Sequence, residues 1–268
     1  MNIKHIDELK FPMGNGCTKP IFAVSGNEYY VVKTFNNSEG NKTLINELVC
    51  YLIALKLDIK MPESGICLID KYTIIGKNVS DMPEFNDRCY GLGFYSQYID
   101  KNTIISSSKM LKMARNYKEI IPQIMLFDHI VYNKDRNRGN LLITANKNNR
   151  ELILIDHTHT FNLQCIWNSH DLNQKIFDND YKDTIIMEYN EFLYSKFKEV
   201  CKIDLYELQL QVNYFRERLS RDFFRSIIDK VPEEWESDKN ELIALSEYLI
   251  YRFENIDQYI SIIVSYNY

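Results

Sequence analysis

The chain has 268 residues and a formal net charge of −5, from 32 Lys and Arg against 37 Asp and Glu. That length suits one large domain or two intimate lobes, and the charge balance offers no overall attraction for nucleic acid or an anionic membrane. Hydrophobic residues at 45% exclude wholesale disorder, while only 9 Gly and 6 Pro exclude collagen-like and low-complexity classes.

Met1 to Lys10 is polar and lacks the apolar stretch of a secretory signal, and no apolar run approaches the roughly 18 residues that cross a bilayer. The six cysteines, Cys17, Cys50, Cys67, Cys89, Cys165 and Cys201, include no CxxC pair and no His at zinc spacing. They read as reduced, mostly buried thiols of a soluble cytoplasmic protein, with neither membrane insertion nor direct nucleic-acid binding expected.

From Pro20 to Phe35, PIFAV and YYVVKTF read as two strands joined by the Ser25–Glu28 turn. In NKTLINELVCYLIALKLD, Leu44, Leu48, Leu52 and Leu55 recur at helical spacing and predict an amphipathic helix closed by Lys60-Met61-Pro62, where proline blocks continuation. ICLIDKYTII reads as a second pair of strands, Gly76 to Arg88 as a turn-rich stretch, and GLGFYSQYI as another strand. Beyond Asp100, IPQIMLFDHIVYN is a predicted helix feeding the loop KDRNRGN, and the strands LLIT and ELILID flank the turn ANKNNR. From Asp204 onward two long stretches carry helical periodicity. The expected architecture is α+β in two lobes, a β-rich one over residues 1–100 and a mostly helical one over residues 101–268.

The chemistry concentrates in Asp135-Arg136-Asn137-Arg138-Gly139-Asn140, a loop between helix and strand, and in Asp156, 21 residues after Asp135 at the end of ELILID. Phosphoryl transfer needs a carboxylate to position the attacking hydroxyl, and a second carboxylate with an amide oxygen to hold magnesium on the nucleotide phosphates. Asp135 suits the first role, Asn140 and Asp156 the second. The bland reading is that Asp135 and Asn140 are turn formers and Asp156 merely ends a strand. Upstream, Lys33 is one basic residue on an apolar strand, and Glu47 lies beside the apolar face of the helix 14 residues later. An ion pair between them would satisfy both charges and aim the ammonium at phosphates; two independent surface charges are the alternative. Before the hairpin, Gly14-Asn15-Gly16-Cys17-Thr18-Lys19-Pro20 offers backbone N–H groups and a Thr18 hydroxyl to phosphates, or is a plain tight turn.

The order of glycine loop, VVK, NEL helix, DRxxxN and LIDHTHTF resembles the HipA-like kinases, bacterial relatives of protein kinases and phosphatidylinositol kinases, in their compact form. The resemblance runs from Gly14 to about Phe161. It implies a two-lobed kinase-like fold, with ATP contacts from Lys33 and from the loop bearing Gly14, Gly16, Cys17 and Thr18. It further implies Asp135 as catalytic base, Asn140 and Asp156 as magnesium ligands, and an adenine-binding hinge at Gln97-Tyr98-Ile99. Asn133-Lys134-Asp135 and Asp156-His157-Thr158 depart from the protein-kinase His-Arg-Asp and Asp-Phe-Gly. These departures leave the acceptor class open. The expected activity is ATP- and magnesium-dependent transfer of the γ-phosphoryl to a Ser or Thr hydroxyl of an unidentified protein. A small-molecule or lipid-headgroup kinase, or a catalytically weak nucleotide-binding scaffold, are the competitors. An antitoxin-type partner rests on family analogy alone.

Other residues carry blander expectations. Asp128 reads as structural, His157 and His159 as simple polar contacts, and the basic stretch Lys101 to Lys118 as a solvated helix face.

Overall fold

In the polar N-terminal segment, Ile6 and Leu9 are fully buried and draw it into the structure as two strands, β1 (Lys4–His5) and β2 (Glu8–Pro12), that composition does not announce. The computed structural model describes residues 2–14, 16–144 and 149–268, so the expected turn ANKNNR lies largely outside the described residues. Alternating burial in the next two runs forms the hairpin of β3 (Ile21–Ser25) and β4 (Glu28–Lys33), paired in register from Ile21↔Val32 to Ser25↔Glu28. ICLIDKYTII does supply two strands, β5 (Ser64–Ile69) and β6 (Ile74–Ile75), but they do not pair with each other. β5 runs parallel to β1 and antiparallel to β7 (Gly91–Gln97), while β6 pairs with β2. The result is a seven-stranded sheet ordered β1-β5-β7-β4-β3-β2-β6, with the short helix α2 (Lys77–Ser80) against β2.

α1 (Lys42–Lys56) ends before the proline expected to stop it. Asp58 adopts a left-handed conformation (φ 55°), its N–H donates to Leu55 O, and Ile59 N–H donates to Ala54 O at 2.9 Å. This is a helix-closing turn sealed by the buried Leu57 and Ile59. α4 (Tyr117–Ile130), which follows the short β8 (Asn102–Ile104) and α3 (Ser108–Leu111), ends in the same way. Tyr132 is left-handed (φ 47°) and Asn133 N–H donates to Asp128 O at 2.8 Å, so the chain turns sharply where the catalytic-type loop begins.

β9 (Leu141–Thr144) and β10 (Leu152–Leu154) join β8 in a small antiparallel sheet. The remaining chain is helical: α5 (Ser169–Phe177), α6 (Ile185–Tyr189), α7 (Glu191–Val200), α8 (Leu205–Arg218), α9 (Arg221–Ile228), α10 (Lys239–Glu254) and α11 (Ile256–Ser265). The two long helical stretches of the sequence are each broken once. Ser220 interrupts the first by accepting a hydrogen bond from Phe223 N–H, an N-cap that starts α9.

Two apolar cores result. One face of the large sheet packs Ile6, Leu9, Ile21, Ala23, Tyr30, Val32, Cys67 and Tyr95 together. The other core is far larger and runs without interruption from α1, Ile66 and Phe94 through α4 and the small sheet into the C-terminal helices. Trp235, fully buried between α9 and α10, donates its indole N–H to Leu92 O in β7 at 2.9 Å and so ties the helical lobe to the sheet. The two lobes face each other across a cleft of about 610 Å³.

Candidate active site

Lys33 is the last residue of β4, where strand alternation turns its side chain inward beneath the sheet; it is 8% exposed. Its ammonium meets Glu47 Oε1 of α1 at 2.5 Å, Asp156 Oδ1 at 3.0 Å and Thr158 Oγ1 at 2.8 Å. The Thr158 hydroxyl in turn donates to Glu47 Oε1 at 3.2 Å. One cation therefore serves two carboxylates, one from each side of the cleft. Burial opposes charge on all three groups, but the electrostatics sort them. The two carboxylates hold the Lys33 ammonium firmly charged. Against the cost of burial, Lys33 and the Thr158 side chain hold the Asp156 carboxyl well below the usual carboxylate range. Burial, with the Asp156 charge nearby, pushes Glu47 up, and Lys33 only partly offsets it.

Asp135 stands on the loop after α4. Its N–H donates to Asn133 Oδ1 at 2.9 Å, and Asn137 Nδ2 donates to Asp135 Oδ1 at 2.8 Å. Asn140 Nδ2 donates to the Asp135 carbonyl at 2.7 Å and to Oδ2 at 3.2 Å. With both amide hydrogens committed, Asn140 Oδ1 is left as an acceptor with no hydrogen-bond partner among the described residues, and so is Asp156 Oδ2. Two acceptor-only oxygens on residues lining the same cleft are what a hard divalent cation requires, so the residues present fit magnesium.

The loop is fixed from below by a fully buried ion pair that spacing alone does not reveal. Arg136 Nη2 meets Asp128 Oδ1 at 2.9 Å and Nε meets Oδ2 at 3.1 Å, with both side chains completely inaccessible. Asp128 also accepts from Asn133 Nδ2 at 2.9 Å and from the Tyr194 hydroxyl at 3.0 Å. Arg136 Nη1 donates to the Asn140 carbonyl at 2.8 Å, and Nη2 lies 2.9 Å from His157 Nε2. Burial, then the Arg136 charge, holds His157 well below its ordinary value, so the ring is neutral and accepts from the guanidinium. Asn190 closes the network from α6–α7, accepting from Arg136 N–H and donating to the Asn133 carbonyl. Asp128 thus has the structural role expected of it, at the centre of the loop.

His159 is more than a simple polar contact. Its Nδ1 is 3.4 Å from Asp135 Oδ2, and the hydrogen bond to Asp135 raises its pKa above the ordinary histidine value. No local spacing announces this contact, because 24 residues separate the two side chains.

The glycine loop is only partly at the cleft. Gly16 and Cys17 line it; Gly16 has φ 104°, a conformation that favours glycine. Gly14 and Thr18 do not line it. Thr18 is instead buried in a separate crevice with Thr34, Asn36, Met82 and Phe85. Ser38 holds the loop by donating to the Cys17 carbonyl at 2.5 Å. At the far end Gln97, Tyr98 and Ile99 all line the cleft. Gln97 and Tyr98 spend their N–H groups on Glu63 O and Tyr29 O, whereas the Ile99 N–H has no partner among the described residues. Val31, Phe94, Leu142 and Leu154 form apolar walls between that amide and Lys33.

A family model for HipA-like kinases matches residues 6–260. No curated protein matches. Among solved structures, the proinflammatory kinase CtkA of Helicobacter pylori is similar over 97% of this chain and 96% of its own, with a TM-score of 0.60 at 14% identity. The Golgi casein kinase, solved with Mn and ADP bound, is similar over 98% of this chain and 73% of its own, with a TM-score of 0.54 at 13% identity.

Proposed function

Because the chain belongs to the HipA-like kinase family, we propose that it transfers the γ-phosphoryl of ATP, with magnesium, to a Ser or Thr hydroxyl of a protein. The observation that carries the reading is Lys33 held at once by Glu47 and Asp156, opposite Asp135 and Asn140 in one cleft. Adenine would lie between the apolar walls with the free Ile99 N–H as donor, and the phosphates would extend toward Lys33 and the Gly16–Cys17 backbone. Asn140 Oδ1 and Asp156 Oδ2 would hold magnesium, which when bound neutralises charge on the phosphate oxygens. Lys33 then moves from Asp156 toward the phosphates while keeping Glu47. Asp135 orients the acceptor hydroxyl and takes its proton.

A protein acceptor is favoured over a small molecule by the open surface beside the Asp135 loop, where Tyr189 is 70% exposed with its ring 5.9 Å from the Lys134 ammonium. Asp135, its side chain 42% exposed, is open to an acceptor arriving from solvent. The test is incubation with labelled ATP and magnesium, with and without cell lysate. A labelled protein band with phosphoserine or phosphothreonine supports the reading. Label confined to small molecules would replace the acceptor class, and ATP binding without transfer would leave only a scaffold.

A further inference from the structure

Cys17 on the glycine loop, Glu39 on the β4–α1 connection and His159 beyond Asp156 come from three separate segments, and one ligand atom from each lies within 4.8 Å of the others. Cys17 Sγ is 3.7 Å from His159 Nε2, and Glu39 Oε2 is 3.6 Å from the same nitrogen. A tetrahedral zinc with bonds of about 2.3 Å to sulfur and about 2.0–2.1 Å to nitrogen and oxygen has S···N and N···O edges of about 3.6 Å and 3.3 Å. The side chains already span two such edges to within a few tenths of an ångström. The histidine's other nitrogen, Nδ1, faces Asp135 Oδ2, the carboxylate–histidine arrangement that fixes the tautomer of a metal-binding imidazole. Of the six cysteines, Cys17 alone is exposed, so its thiol is reachable by a metal from solution.

We propose that Cys17, Glu39 and His159 form a zinc site at the mouth of the cleft, and that zinc bound there holds the kinase inactive. On binding, the Cys17 thiol loses its proton to water. The thiolate, the Nε2 lone pair and one Glu39 oxygen each donate to the metal, and a water fills the fourth position. Two consequences follow from the geometry. The glycine loop becomes tied to the C-terminal lobe, and the His159 Nδ1–H is fixed as a donor to Asp135, competing with the acceptor hydroxyl for that carboxylate. Magnesium does not substitute, because it prefers oxygen ligands and octahedral geometry, whereas a thiolate and an imidazole select a softer ion.

The inhibitory half of the proposal rests on the kinase reading above; the metal site itself does not. Cobalt(II) titrated into the full chain is the probe for the site, read as thiolate-to-cobalt charge-transfer absorption together with the visible bands of tetrahedral cobalt. One equivalent should produce both, zinc should displace them, and Cys17→Ser and His159→Ala should abolish them while melting at the parent temperature. A parent protein without the charge-transfer band, or a band that persists in Cys17→Ser, would overturn the site. For inhibition, transfer from labelled ATP in excess magnesium is followed as buffered zinc rises through the micromolar range. The parent should lose activity, and Glu39→Gln, outside the transfer machinery, should keep the basal rate and lose the sensitivity to zinc. Equal sensitivity in Glu39→Gln would place inhibition elsewhere and refute that half. A cobalt band in a chain that never transfers phosphate would support the site and count only against the kinase reading.

Discussion

Asp128→Ala is the substitution whose effect the structure specifies most fully. Asp128 accepts two hydrogen bonds from Arg136, one from Asn133 and one from Tyr194, and it is 0% exposed. Its removal leaves the Arg136 guanidinium buried with no counter-charge, since the remaining partners of that group are the carbonyls of Asn140 and Ile155 and a neutral His157. Breaking one side of a buried ion pair typically costs about 3–5 kcal/mol. Against a total stability of about 5–15 kcal/mol this is a large fraction, and for a chain of this size it corresponds to a fall in Tm of about 6–20 °C. Tyr194→Phe removes a single hydrogen bond to the same carboxylate and should cost less, about 1.5–3 kcal/mol. The double change Asp128→Leu, Arg136→Met removes both charges and should recover much of the stability lost in Asp128→Ala. It should not recover phosphoryl transfer, because Asp135 is held through Asn133, which Asp128 anchors. Circular-dichroism melts of the variants, run beside transfer assays, test the chain of reasoning. An Asp128→Ala protein melting within two or three degrees of the parent would refute it.

Asp156→Ala should abolish the metal-dependent thermal stabilisation by ATP, while Asp135→Ala should largely retain it; parent-like MgATP binding in both would remove the metal assignment. In Asp135→Asn, single-turnover transfer should fall about 10²–10⁴-fold with melting and MgATP affinity little changed, and a parent rate would take Asp135 out of the mechanism. Lys33→Met leaves the buried Glu47 and the partly exposed Asp156 without their shared cation, at a cost of about 1–3 kcal/mol near neutrality. The Asp156 carboxyl, depressed in the parent, contributes stability that is present above its unfolded value near pH 4 and lost as pH falls through its lowered folded value. Without Lys33 the Glu47 carboxyl rises further and the Asp156 carboxyl loses its depression, so the Tm of the variant should fall from pH 4 to pH 7, and a parent-like profile in melts across that range would contradict the shared-cation picture. Gly93→Ala should destabilise by about 1–3 kcal/mol and weaken ATP binding in equilibrium titrations, because the added Cβ would stand 2.8 Å from the Lys33 carbonyl and must displace β4; unchanged affinity and Tm would show that the strand yields freely.

What the sequence makes legible is local. The aromatic and β-branched run YYVVK, set off by a turn, and the leucine spacing in the NEL helix place Lys33 and Glu47 on elements that the fold then packs together. β2 escapes although Glu8-Leu9-Lys10-Phe11 alternates polar and apolar residues, because the run is short and charged; the bulge between Leu9 and Phe11 then leaves Phe11 exposed. The helix end at Lys56 is misjudged because the stop comes from a left-handed Asp58, a residue with no glycine signature. The loop supports are hidden for another reason. Tyr194 and Asn190 lie 66 and 54 residues from their partners Asp128 and Arg136, and Cys17 lies 142 residues from His159. No pattern along one chain encodes such encounters; packing creates them.

The continuity of the larger core bears on how the cleft can open. α1 is anchored on the C-terminal side: Asn46 donates to the carbonyls of Thr158 and Gln164 and accepts from the Trp167 indole, while Asn41 donates to the Trp235 carbonyl and Lys42 pairs with Glu241. By these bonds α1 is held to the C-terminal lobe as well as to the sheet, whose Ile66 and Phe94 share its core. At Lys33 the bonds that reach across the cleft are those to Asp156 and Thr158, so any separation of the lobes there must break both.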